Sequence, residues 1–128
     1  MKVLAVDHIT INLVKKEESF AFYENVFGLV KKEEKNMGDH VLHLYQLPGV
    51  ILELIEYVDE QKLVQTANTD IGIYRHFAVT VDDIEAFRAA CEKAGYGINL
   101  EPSFVEKLGK TVMLVKDPNG VEIELIQA

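Results

Sequence analysis

Two histidines and two glutamates have residue types and surroundings that suit metal chemistry. His8 and His76 each open an alternating apolar segment, and Glu53 and Glu124 each lie among branched apolar residues. An ionised carboxylate in apolar surroundings is costly unless a cation lies beside it. Two neutral imidazoles and two carboxylates suit Zn, Ni, Co, Mn or Fe and leave coordination positions for a substrate. The pattern predicts one divalent metal held by His8, Glu53, His76 and Glu124.

The first half of the chain predicts a strand, a helix and three further strands. Residues 3–14 alternate with the period of a half-buried strand, and apolar residues at helical spacing over 17–28 end at Gly28. Extended patterns follow over 30–35, 40–47 and 50–57, separated by a polar loop and a Pro48-Gly49 turn. The charged segment 30–35 is expected at the edge of the sheet.

The second half repeats this order after a polar linker over 58–73, in which one helical turn is expected near 60–65. A strand over 75–81 precedes a helix that Asp82 or Asp83 can cap and that ends at Gly95. Short extended pieces near 96–100, a loop over 101–109, a strand over 110–116, the Asp117-Pro-Asn-Gly120 turn and a final strand complete the chain.

The two halves align residue type for residue type at a strand that opens on histidine, a helix that ends at glycine and a last strand with one embedded glutamate. Fixed-order similarity of this kind indicates a duplicated module. We therefore expect an α+β fold in which two tandem βαβββ modules form a curved, cup-like mixed sheet with the helices outside. The whole chain, 1–128, is expected to be one domain, with modules at about 1–58 and 74–128.

Strand alternation predicts which side chains face the cup. Ile9, Ile11 and Leu13 take the helix side, as do their counterparts in the second half, so each histidine faces the concave side. Glu124 faces inward by the same alternation, whereas Glu53 is assigned by symmetry because both faces of its strand are apolar. Of the remaining residues, Glu122 is expected to be solvated and Glu56 is expected to be exposed. His43 is interpreted as an ordinary strand residue, although it could line the cup with Tyr45. Cys91 is expected to be buried.

Composition excludes several classes of function. The 128 residues include 48% hydrophobic residues, a single cysteine and a formal net charge of −8. No stretch rich in Lys and Arg is long enough to bind along a phosphate backbone, so nucleic acid is not an expected partner. No apolar run approaches the length of a membrane span and no secretory signal pattern opens the chain, so a cytoplasmic protein without membrane insertion is expected.

The segments around the four donors resemble a known superfamily. Asp7-His8-Ile9, Leu52-Glu53-Leu54, Arg75-His76-Phe77-Ala78-Val79 and Asp117-Pro-Asn-Gly-Val-Glu-Ile-Glu124-Leu are similar to segments of the vicinal oxygen chelate superfamily, which includes glyoxalases, bleomycin resistance proteins and dioxygenases. Within it, the order His, Glu, His, Glu resembles glyoxalase I, whose metal ligands occupy these positions. The resemblance extends over nearly the whole chain.

Resemblance to glyoxalase I implies that a divalent metal polarises two oxygens of a hemithioacetal. A ligand carboxylate, Glu124 with Glu53 as its counterpart, would then move a proton between adjacent carbons through an enediolate. The chain departs from glutathione-using members at two positions, where Asn12 stands in place of an arginine and Tyr57 in place of an asparagine, and the segment 60–73 is short. The thiol is therefore left open.

Three functional classes remain after the sequence is considered. The preferred one is a glyoxalase I-like lyase or isomerase acting on a small oxo compound or its thiol adduct. The alternatives are a metal-free ligand-binding or resistance protein of the same fold and an Fe(II) extradiol-type dioxygenase. Because family members usually pair, a homodimer is expected, with the site either within one chain or shared between two.

Overall fold

Each half of the chain forms its own four-stranded mixed sheet. The computed structural model describes residues 1–59, 64 and 66–128, which divide into a first unit, Met1–Leu63, and a second unit, Val64–Ala128. Both units have the order strand, helix and three strands, which confirms the tandem βαβββ modules of an α+β fold. The helical turn expected near 60–65 falls almost entirely outside the described residues.

The first unit contains strands β1 (His8–Asn12), β2 (Lys31–Asn36), β3 (His40–Leu47) and β4 (Val50–Tyr57) in the sheet order β1-β4-β3-β2. Strand β1 pairs with β4 in parallel, and the other pairs are antiparallel. The charged β2 lies at the edge, as predicted. Strand β1 is shorter than predicted because β4 begins at Val50, after the Pro48-Gly49 turn, and residues 3–6 have no partner there and are exposed.

The helix of the first unit changes its winding partway. Helix α1 (Lys16–Ala21) continues into a π-helical turn, Phe22–Val26, whereas a uniform helix was predicted over 17–28. The wider turn buries the consecutive residues Phe22 and Tyr23 completely. Gly28 follows with φ +65°, where glycine avoids the steric cost of a side chain, and the helix ends there as predicted.

The second unit contains strands β5 (His76–Val81), β6 (Ile98–Val105), β7 (Lys110–Lys116) and β8 (Glu122–Gln127) in the order β5-β8-β7-β6. Helix α2 (Ile84–Ala94) begins at Asp83, whose side chain accepts a hydrogen bond from the Ala86 amide, and ends at Gly95. A buried face that includes Phe77, Cys91, Met113, Ile123 and Leu125 forms the core of this unit.

The loop predicted over 101–109 is wrong for its first half, because β6 extends through Val105. Strand β6 accommodates Pro102 because it lies at the sheet edge and its pairing with β7 shifts register between Leu100 and Ser103.

His43 is the buried member of a polar network on the helix side of the first sheet. Its Nε2 lies 2.8 Å from Glu56 Oε2 and its Nδ1 lies 3.2 Å from Glu34 Oε1, while the Phe20 ring packs edge-on at 4.8 Å. His43 therefore does not line the opposite sheet face, in agreement with its interpretation as an ordinary strand residue. Glu56 is half-buried rather than exposed, because it also accepts a hydrogen bond from Lys16 Nζ at 2.8 Å.

This network predicts acid sensitivity. The hydrogen bond from Lys16, followed by that from His43, holds the pKa of Glu56 below its ordinary value of 4.5. A depressed carboxyl pKa stabilises the folded state above the unfolded pKa, and that contribution is lost as the pH falls through the folded pKa. Glu56→Gln should therefore lower the free energy of unfolding by about 1 kcal/mol at pH 7, with the deficit shrinking below about pH 4.

Urea unfolding at a series of pH values measures this difference. Glu33→Gln is the matched control, since Glu33 lies on the same sheet, is half exposed and has its ion pair with Lys35 at 3.8 Å. It should change stability by less than about 0.5 kcal/mol. A Glu56→Gln deficit that stays constant down to pH 3 would contradict the assignment.

Candidate metal centre

In the first unit, the pairing of β1 with β4 brings His8 and Glu53 to neighbouring positions on one sheet face. Thr10 is the partner of Glu53 and His8 is the partner of Ile51, so all four side chains share a face. Leu52 and Leu54, on either side of Glu53, are fully buried on the opposite face. Glu53 therefore faces away from the helix side, as symmetry predicted.

Both donors of the first unit have a polar neighbour within hydrogen-bond distance. His8 Nδ1 lies 2.7 Å from Asp7 Oδ2, and the Thr10 hydroxyl donates to Glu53 Oε1 at 3.2 Å. The hydrogen bond to Asp7 raises the pKa of His8, and the negative charge of Glu53 also raises it, against the opposing effect of slight burial. With Nδ1 directed to Asp7, the nitrogen suited to a metal is Nε2.

In the second unit, the same relation recurs between β5 and β8. Ala78 is the partner of Glu124 and His76 is the partner of Glu122, which is the register found in the first unit. Ile123 and Leu125 are fully buried on the helix side, so Glu124 faces away from it as predicted. His76 Nε2 lies 3.0 Å from Glu124 Oε2, and these two predicted donors are in direct contact.

Glu122 is buried, and the expectation that it is solvated is wrong. Its side chain is 2% exposed, and His76 Nδ1 lies 3.2 Å from its Oε1. Burial by itself would raise the pKa of Glu122, but hydrogen bonds from Arg75, Asn99 and His76 outweigh that effect and hold the pKa below its usual range. Strand alternation puts Glu122 on the same face as Glu124, but its position near the turn does not leave it exposed to solvent.

The signal that identifies Glu122 is its register. In a parallel pair, the residue two before Glu124 lies beside the residue two before Ala78, which is His76. The Asp117 turn supports this end of β8, since the Asp117 carboxylate accepts hydrogen bonds from the Asn119 and Val121 amides at 2.8 Å each. Asp117 is itself buried.

Each unit therefore places one predicted histidine ligand and one predicted glutamate ligand on the same sheet face. Among the residues that the structure describes, no group of three or more His, Cys, Asp or Glu side chains is arranged to hold a metal. The donor chemistry of each pair nevertheless fits a divalent transition metal, because imidazole nitrogen and carboxylate oxygen are both common ligands of such ions.

Cys91 has no part in this arrangement. Cys91 is fully buried on α2, as predicted, and burial raises the pKa of its thiol, so it lacks the thiolate character of a nucleophile.

No helix in the described part of the chain has the length and apolarity required to cross a bilayer.

The chain is similar to named lyases over most of its length. It is 29% identical over 132 residues to a probable lactoylglutathione lyase from Vibrio cholerae, covering 94% of this chain and 88% of that protein. It is 26% identical over 122 residues to a putative lactoylglutathione lyase from Brassica oleracea, again covering 94% of this chain. The chain spans only 43% of the length of that plant relative.

A solved structure shares the fold. A glyoxalase I mutant from Zea mays superposes with a TM-score of 0.81 at 20% identity, covering 97% of this chain and 45% of that one. The profile of the Glyoxalase/Bleomycin resistance protein/Dioxygenase superfamily matches residues 5–125. The chain belongs to this superfamily.

Proposed function

We propose that this protein is a metal-dependent, glyoxalase I-like lyase or isomerase that moves a proton between adjacent carbons of a small oxo compound or its thiol hemithioacetal. The observation that carries the proposal is the shared register of the two donor pairs, His8 with Glu53 and His76 with Glu124. The names of its relatives, lactoylglutathione lyases, support the same reaction class.

In this proposal, His8, Glu53, His76 and Glu124 hold one divalent metal. When bound, the metal stabilises negative charge that develops on a substrate oxygen as a proton leaves the neighbouring carbon. The two histidines serve as neutral ligands through Nε2, with Nδ1 of each held by a carboxylate. Zn, Ni, Co, Mn and Fe all suit this donor set.

The two carboxylates differ in their neighbours. The Thr10 hydroxyl donates a hydrogen bond to Glu53 Oε1. Glu124 has Ala78 at the equivalent position, and its Oε2 lies 3.0 Å from His76 Nε2. Following the resemblance to glyoxalase I, we assign the proton transfer to Glu124, which accepts the proton on a carboxylate oxygen and returns it to the adjacent carbon, and Glu53 is its counterpart.

Metal content is the first test. Protein purified without chelator should contain close to one divalent ion per chain by elemental mass spectrometry, because all four donors are supplied once per chain. The double variant His8→Ala/Glu124→Gln should lose the ion, while the control His40→Ala/Glu33→Gln, which removes the same residue types outside the site, should keep it. A metal-free wild-type protein would reject the metal-dependent reaction.

Activity is the second test. With methylglyoxal and glutathione, cysteine or coenzyme A as the thiol, at least one pair should be converted, and Glu124→Gln should lower kcat by about 10²- to 10⁴-fold. Glu53→Gln should have a smaller effect on kcat if Glu124 is the base. Equal losses in both variants would contradict the assignment of the base, and tolerance of Glu53→Gln together with oxygen consumption on a catechol would favour a dioxygenase.

Removal of metal with a chelator tests the remaining alternative, a metal-free protein that only binds a ligand. Thermal stabilisation by a drug-like ligand that persists after metal removal would favour a ligand-binding or resistance protein of the same fold. The assay must identify the thiol, because Asn12 and Tyr57 stand where glutathione-using members of the superfamily have an arginine and an asparagine.

The proposed oligomeric state is a homodimer. Light scattering at micromolar concentration should give about twice the 14.5 kDa chain mass. A monomeric mass at every concentration would reject the dimer and would require both donor pairs of a site to come from one chain.

A further inference from the structure

Glu122 is a buried carboxylate surrounded by four hydrogen-bond donors. Its Oε1 accepts hydrogen bonds from Arg75 Nε and His76 Nδ1, both at 3.2 Å. Its Oε2 accepts hydrogen bonds from Asn68 Nδ2 at 2.6 Å and Asn99 Nδ2 at 3.2 Å. Four donors from three separate segments therefore fix one buried carboxylate.

Burying a carboxylate is costly unless a cation and hydrogen bonds compensate for it. Arg75 supplies the positive charge and is itself about half exposed, so its own desolvation is modest. The two asparagines satisfy the oxygen that Arg75 and His76 leave. This set of partners compensates for the burial of the Glu122 carboxylate, whose side chain is 2% exposed.

The geometry assigns Glu122 as a positioning residue for His76. The imidazole is held at both ends, with Nδ1 at 3.2 Å from Glu122 and Nε2 at 3.0 Å from Glu124. We propose that Glu122, fixed by Arg75, Asn68 and Asn99, sets the ring orientation and the tautomer in which His76 presents Nε2 to the metal. This inference rests on the proposed function, because it requires His76 to be a ligand.

In the described part of the first unit, no buried carboxylate corresponds to Glu122. The position that corresponds to Glu122 is Ile51, since Ile51 is the partner of His8 as Glu122 is of His76. Asp7 contacts His8 Nδ1 instead, but its side chain is 94% exposed. An exposed carboxylate on a neighbouring residue is screened by water and free to reorient, so it holds the ring weakly. The two donor pairs are therefore inequivalent, and the second is the preorganised one.

The substitution Glu122→Gln tests the assignment because every partner of Glu122 is a donor. A glutamine amide must direct its NH₂ group at one of those donors, so at least one contact is lost whichever way it points. Orienting partners of metal-bound histidines typically contribute about 10- to 100-fold in metal affinity. We expect Glu122→Gln to weaken Co²⁺ and Zn²⁺ binding by about tenfold or more in titrations against a competing chelator.

Asp7→Asn is the matched control. It removes one carboxylate from Nδ1 of the other ligand histidine, at an exposed position, and should weaken binding by less than about threefold. Equal losses in Asp7→Asn and Glu122→Gln would overturn the inequivalence of the two pairs. Wild-type affinity in Glu122→Gln would overturn the positioning role while leaving the proposed function intact. Failure of the wild-type protein to bind either metal would instead reject the proposed function.

A spectroscopic measurement separates positioning from general stability. In the Zn²⁺-loaded wild-type protein, the Nδ1–H proton of His76 should give a downfield NMR resonance protected from exchange with water, because Glu122 accepts it. Glu122→Gln at saturating Zn²⁺ should lose that protection, whereas Asp7→Asn should retain it. Urea unfolding of each variant reports stability independently.

A milder variant covers failure of Glu122→Gln to fold. Asn99→Ala removes a single donor from Glu122 Oε2 and leaves Arg75 and His76 in place. Asn99→Ala should also weaken metal binding, by a smaller factor than Glu122→Gln. It should reduce the protection of the His76 Nδ1–H proton from exchange with water. Unchanged affinity and protection in Asn99→Ala would count against the proposal.

Discussion

The parallel pairing of the first and last strands of each module is the constraint on which the rest of the structure depends. It brings a histidine and a glutamate that are 45 or more residues apart in sequence into adjacent strands on one sheet face. Parallel neighbours require a long connection, and here the helix and two further strands supply it. The apolar residues that alternate with the donors along each strand are buried on the opposite face. The alternation that forms the core therefore also places the donors on the other side of the sheet.

Much of this arrangement follows from sequence, because period-two alternation and duplication are strong signals. Strands β3 and β4 have the bounds predicted from the pattern, and the His and Glu pairs lie on the predicted faces. Glu53 is the informative case, since its own strand is apolar on both faces and only comparison with Glu124 could orient it. The register that relates Thr10 to Glu53 and Ala78 to Glu124 supports that comparison.

The features that sequence did not predict depend on contacts between distant segments. The burial of Glu122 requires Asn68, Arg75 and Asn99 together, and no local pattern relates these three residues. The extension of β6 past Pro102 depends on its edge position, and the π-helical turn in the first unit depends on burying Phe22 and Tyr23 together. Local propensity is a weak guide wherever tertiary packing supplies the compensating contacts.

The division of the donors between two units has a thermodynamic consequence. Each unit contains a complete sheet and core but only half of the four donors. Any metal that binds a donor pair stabilises the folded form of the unit that contains it, because the unfolded segment does not hold the histidine and the glutamate together. The stability of each unit is therefore expected to rise with metal concentration, and to do so only at a pH at which the histidine is neutral and the carboxylate ionised.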